Sequence, residues 1–159
     1  MGDRQKIKDN QKGVYGVING VSSAAGAQAA VEQMHEETFV FQAPAGSPFA
    51  EAGIAVLKAC KVKSIRVTAG TTLAADATNN ITATVAKRDG AGGSATTIGA
   101  VTTNVAGGAL TAFVPKTADV SSTAGVALLA AGNVLTFKTA DNGTTTEPAL
   151  TCSVTVEYV

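Results

Sequence analysis

Strict alternation governs the last eleven residues, ALTCSVTVEYV: Leu150, Cys152, Val154, Val156 and Tyr158 fall on one side, and Thr151, Ser153, Thr155 and Glu157 on the other. A period of two fits a β-strand with one face buried, and it fits no helix. The same period sets in at about residue 37. ETFVFQA puts Phe39 and Phe41 on one face. NITATVAKR sets Ile81, Ala83 and Val85 against Thr82, Thr84 and Ala86, and GNVLTFKTA aligns Leu135 with Phe137. GIAVLKAC and the β-branched SATTIGAVTTNV read as further strands. In KVKSIRVTA, Val62 and then Ile65 and Val67 are out of phase, which predicts a bulge or bend near Ser64. The turn signals APAGSP, AGTT, RDGAGG, AGG, STAG, AAGN and DNGTTTEP separate these runs. Residues 37–159 therefore read as one all-β, antiparallel sandwich or barrel. No strand is followed by a long periodic helix, which argues against a parallel α/β sheet.

Such a fold needs bulk inside, and this chain has little. Aromatic residues make up 4% and tryptophan is absent, so much of the 45% apolar content is alanine. An alanine buries little, whereas a buried Val, Leu or Phe contributes roughly 1.5–3 kcal/mol. Charged residues are 15%, below the usual quarter. A thin core under a weakly charged surface points to a chain that completes its burial against neighbours. The 12 basic and 12 acidic side chains cancel, which argues against a dedicated nucleic-acid binder. No run of 18 apolar residues spans a membrane, and the polar start MGDRQKIKDN is not a secretory signal. With no signal, Cys60 and Cys152 read as reduced, buried thiols, while a bridge between neighbouring strands stays open.

Residues 1–36 read as an N-terminal arm. Arg4, Lys6, Lys8 and Lys12 alternate with Asp3 and Asp9. GVYGVINGVSS is interrupted by glycines, and SSAAGAQAAVEQMHEE is a candidate for one short helix, capped by Ser22 or Ser23. Gly26 weakens it, and Glu36 and Glu37 stand at the wrong end for its dipole. Two readings of the arm stand side by side. One is a solvated tail. The other is an interface segment in which the four basic residues meet an acidic neighbouring surface and Val14, Tyr15, Val17 and Ile18 anchor it.

Four stretches call for a chemical reading. KRDGAGGSATTIGA, residues 87–100, spaces Gly90, Gly92 and Ala95 like a loose dinucleotide-binding turn. That turn needs a helix next, and TTIGAVTTNV is a poor one; no Lys-Ser or Lys-Thr pair follows for a P-loop either. It reads as a hairpin tip. His35 is the single histidine, and HEE lacks the second His of a zinc helix, since position 39 is Phe39. DNGTTTE at 141–147, and Asp76, Asn79 and Asn80 in ADATNN, present oxygens but lack the spacing of a calcium loop, and read as Asx turns. Glu51, Asp76, Asp89, Asp119, Asp141 and Glu147 lie in or beside loops and Glu157 on an outward face, so no carboxylates pair for hydrolysis. The sequence thus predicts no catalytic residue, cofactor or metal.

TLAADATNNITATVAKRDGAGGSATTIGAVTT followed by AAGNVLTFKTADNGTTTEPALTCSVTVEYV resembles the small head decoration, or cement, proteins of tailed bacteriophages. The shared features are the LAADATN turn entering an alternating strand, Lys-Arg before a glycine-rich tip, and VLTFK leading to a final VTVEY strand. The resemblance covers roughly residues 60–159, leaves out the arm, and carries no functional residue across. It implies a jelly-roll sandwich, a dimer or trimer, the major capsid protein as partner, and a place on the outer surface of a virion head. A receptor- or carbohydrate-binding module of a phage fibre is the alternative, weakened by the lack of tryptophan platforms.

Overall fold

The structure, a computed structural model, describes residues 35–159. Nine strands are present among them: β1 (Glu36–Ala43), β2 (Ala52–Ala55), β3 (Cys60–Ala69), β4 (Asn80–Arg88), β5 (Thr96–Thr102), β6 (Lys116–Ala118), β7 (Leu128–Leu129), β8 (Val134–Asn142) and β9 (Leu150–Tyr158). They form two sheets, one in the order β1-β9-β3-β6 with β7 also on β3, the other in the order β2-β8-β4-β5. With the two-residue β7 set aside, successive strands alternate between or fold back across the sheets in the wrapping of a jelly roll. The pairings of β3 with β6, β7 and β9, and of β8 and β5 with β4, are antiparallel.

The inward faces are those that the alternation marks. Leu150, Cys152, Val154 and Val156 of β9 are buried, as are Val62, Ile65 and Val67 of β3 and Ile81, Ala83 and Val85 of β4. Phe137 of β8 is wholly buried and joins the layers: its ring centroid lies 5.8 Å from that of Phe41 on β1 and 6.2 Å from that of Phe49. Three of the chain's five phenylalanines thus meet at one point. The phase slip in β3 is a true bulge. Val62 faces Val156, Ser64 faces Thr155, and Lys63 is the extra residue. It restores Ile65 and Val67 to the inward face.

The side of the sandwich formed by β5 and β6 is closed. The amide of Ser121 donates to the carbonyl of Ile98 at 2.7 Å. Gly99 lets the backbones meet there, since a Cβ would stand 2.7 Å from the Asp119 carbonyl oxygen and 2.9 Å from Ile65 Cδ1.

Three expectations are corrected. Glu36, expected at the end of a helix, belongs to strand β1 together with Glu37, where the period of two sets in, and His35 is in a turn; the rest of that helix candidate lies outside the described residues. Ala86, assigned outward, is buried: the β4–β5 register shifts between Val85 and Ala86, and Thr136, itself buried, donates to the Ala86 carbonyl at 3.3 Å. Asp141 and Asn142, read as loop, continue β8 opposite Ile81 and Asn80.

Because so few bulky groups fill the core, Phe137→Ala should cost about 3–5 kcal/mol. Urea unfolding followed by circular dichroism will measure this as a lowered midpoint at unchanged slope.

Candidate functional site

β4 and β5 form a hairpin, and residues 89–95 are its tip. Asp89 organises it: one carboxylate oxygen accepts from the amides of Ala91 at 3.1 Å and Gly93 at 2.7 Å, while its carbonyl accepts from Gly92 at 3.1 Å. A phosphate would need those same amides, and a carboxylate already holds them. Gly92 supplies the left-handed conformation, with φ of 79°. Arg88 donates from Nη1 to the Gly93 carbonyl at 2.7 Å and clamps Glu51 through two further bonds of 3.0 and 2.9 Å. That bidentate pair holds the Glu51 carboxyl below its ordinary range.

At the opposite end, the two oxygen-rich stretches come together. Asp76 accepts from the amides of Thr78 and Asn79 at 2.8 and 2.7 Å, an Asx turn whose hydrogen bonds lower its pKa. Asn79 reaches across to accept from the amide and hydroxyl of Thr144 at 3.0 and 3.1 Å. These oxygens bind their own loops. Among the described residues, no group of three His, Cys, Asp or Glu side chains is placed to hold a metal ion. His35 is exposed in a turn before β1.

Glu147 was not visible as a core residue in the sequence, and it is 1% exposed. It accepts a 2.6 Å hydrogen bond from the hydroxyl of Thr139 on β8, which itself accepts from the Phe49 amide at 2.7 Å. The Glu147 carbonyl takes the Gly46 amide at 2.9 Å. This chain of bonds ties the loops after β1 and β8 to the sheet, a structural role. Glu157 pairs with Lys63 at 2.9 Å. Lysines likewise secure loops. Lys116 donates to the carbonyls of Gly107, Gly108 and Ala109, and burial lowers its pKa; Lys87 donates to those of Gly125 and Leu128.

Two surface hollows show no convergent chemistry. One of about 460 Å³ is lined by Gln42, Ala43, Pro44, Ala149, Leu150 and Thr151, none of them ionisable. A smaller one of about 220 Å³ has Lys61 as its single ionisable lining residue.

What the loops do present is apolar. Leu57, Leu128 and Val159 are exposed near the start of β3, and Val105, Phe113 and Val114 near its end. Phe113 is the outlier. It is 77% exposed, and with φ of 59° it is the one described residue other than glycine with a positive φ. Its amide donates to the carbonyl of Ala69 at 2.9 Å, which fixes it there. The sequence offered one hint of it, a lone aromatic between the AGG turn and Pro115. The arm residues assigned to an interface, Arg4, Lys6, Lys8, Lys12, Val14, Tyr15, Val17 and Ile18, lie outside the described residues.

Cys60 and Cys152 are free and buried, which resolves the question of a bridge. Cys60 pairs with Tyr158, and Cys152 with Val67, at opposite ends of β3. Seven residues of strand separate them by roughly 23 Å, far beyond disulfide reach. Burial raises both thiols, and it pushes Cys152 up to about 12.

No protein-family model matches the chain, and no curated protein matches it. Among solved structures, a chain in the structure of infectious bursal disease virus, Gx strain, is similar over 77% of this chain and 32% of its own length, at 15% identity and a TM-score of 0.34. A chain of the Gt strain is similar over 78% and 35%, at 16% identity and a TM-score of 0.28. This chain spans about a third of those viral chains. Likenesses this loose carry no argument about function.

Thr139→Val would leave the Glu147 carboxyl and the Phe49 amide without their buried partner. It should destabilise by about 1–3 kcal/mol in urea titrations. Cys152 yields a pH test. Its folded pKa lies above the unfolded value, so its contribution is whole below pH 9 or so and falls as pH rises toward about 12. Thermal melts at stepped pH should show the wild type losing stability over that window faster than Cys152→Ala does.

Proposed function

We propose that this chain is a structural virion protein of the decoration type, which binds the outer surface of a phage head at capsomer junctions and stabilises it. The major capsid protein is its partner and a dimer or trimer its working state. It performs no catalysis in this reading. A jelly roll serves many functions, so the fold alone does not carry the argument. The observation that carries it is Phe113. In a chain with five phenylalanines and no tryptophan, one is held in solvent in a left-handed conformation. For a bulky side chain that conformation costs on the order of 1–3 kcal/mol. A protein serving only its own stability would bury the ring and place glycine there. Displayed beside Val114, it has the character of an anchor for an apolar recess on a large neighbour.

The loop chemistry agrees with this reading. The ionisable groups described above at the hairpin tip, at the Asx turn and in the lysine clamps bind their own backbone, and the buried Glu147 carboxyl binds the Thr139 hydroxyl. They stiffen the loops, as suits a particle that must resist pressure through extended contact. The small side chains of the surface let neighbours approach closely, and many copies together gain strength through effective concentration. The arm, with Arg4, Lys6, Lys8 and Lys12 around Val14, Tyr15, Val17 and Ile18, extends the contact in this scheme.

Phe113→Gly separates attachment from stability. Released from strain, the variant should melt no lower than the wild type, and higher by about 1 kcal/mol in stability. Its co-sedimentation with undecorated heads should fall at least tenfold, a change of about 1.4 kcal/mol. Heads lacking the protein should burst at lower temperature. Wild-type protein that stays in the supernatant while binding a glycan array would favour the fibre module instead.

A further inference from the structure

Four strands end the hydrogen-bonded orders of the two sheets: β1, β2, β5 and β6. β6 has three residues and β2 four, and β5 lies against the residues that follow β6. β1 differs. It runs for eight residues, and among the described residues its outer edge has no backbone partner. From Thr38 to Ala43 it reads TFVFQA, without charge or proline. Edge strands are ordinarily blunted by lysine, proline or shortness, and this stretch has none of these. Val40, at its middle, is 53% exposed.

We propose that this edge pairs with the same edge of a second copy, antiparallel, with the two-fold axis at Val40. The charge pattern selects the arrangement. The charges of β1, Glu36 and Glu37, both stand at its start. A parallel pair would bring the glutamates of the two copies to about 4.8 Å strand spacing, like against like. An antiparallel pair sends them to opposite ends, where Glu37 lies across from the uncharged Ala43 of the second copy. The period of two then sets the register. With the axis at Val40, Thr38 opposes Gln42 and Phe39 opposes Phe41, so each side chain meets one from its own face. The core-facing row runs on through both copies, and Val40 meets Val40. The interface is self-complementary, as two-fold symmetry requires. This pairing rests on β1 alone and is independent of the virion reading.

The test uses the full chain in dilute buffer without capsids. Sedimentation velocity over a concentration series should show a dimer. Val40→Lys and Val40→Glu each place like charges face to face across the axis, and each should weaken the dimer roughly fivefold or more. Far-ultraviolet circular dichroism should stay unchanged, since the side chain is on the surface. An equimolar mixture of the two variants should restore a dimer, because Lys then faces Glu. The proposal is overturned if each variant dimerises as the wild type does, or if the mixture restores nothing. It is equally overturned by a wild-type monomer whose β1 amides resist hydrogen exchange, which would mean that the chain's own N-terminal segment covers the edge.

Discussion

Phe137 is where the two sheets are fastened to each other. A sandwich of alanine, threonine and valine strands has ample backbone hydrogen bonding within each layer, but that bonding does nothing to hold one layer over the other. Contact between the layers has to come from side chains that reach across, and this chain has few. The ring of Phe137, wholly buried against Phe41 and Phe49, supplies the broadest such contact. Around it the branched residues of β3, β4 and β9 complete a single core. Gly99, lacking a Cβ, lets β5 pass hard against the Asp119 carbonyl and Ile65.

The strands were largely legible in the sequence, because one buried face imposes a period that survives any choice of residues. Leu150 to Tyr158 needed nothing more, and the slip between Val62 and Ile65 located the bulge to within a residue. Burial at Ala86 was not legible, because it arises from a shifted pairing with β5 and from Thr136, fifty residues away. β6 and β7, of three and two residues, are too short to show any period. The order of strands was beyond reach for the same reason: pairing partners such as Cys60 and Tyr158 lie nearly a hundred residues apart.

The loops divide the same way. Local turns were readable, since an Asp followed by small polar residues folds back on its own amides, as Asp76 and Asp89 do. Glu147 and Phe113 were not. The burial of one depends on Thr139, and the backbone of the other on the Ala69 carbonyl. Both are long-range facts, and they describe opposite choices: a carboxyl taken inside to tie loops down, and an aromatic ring left outside.

The closure of β5 on β6 has a consequence for how such molecules accumulate. A β protein with a pairing surface at both flanks can add copies without end and grow into fibres. Here, among the described residues, one flank is shut by the Ser121–Ile98 bond and the tight passage at Gly99, which leaves the opposite flank for recruitment through sheet edges. In the proposed dimer, pairing consumes the β1 edge of both copies. What remains at that flank is β2, of four residues, a short edge for a further copy to join.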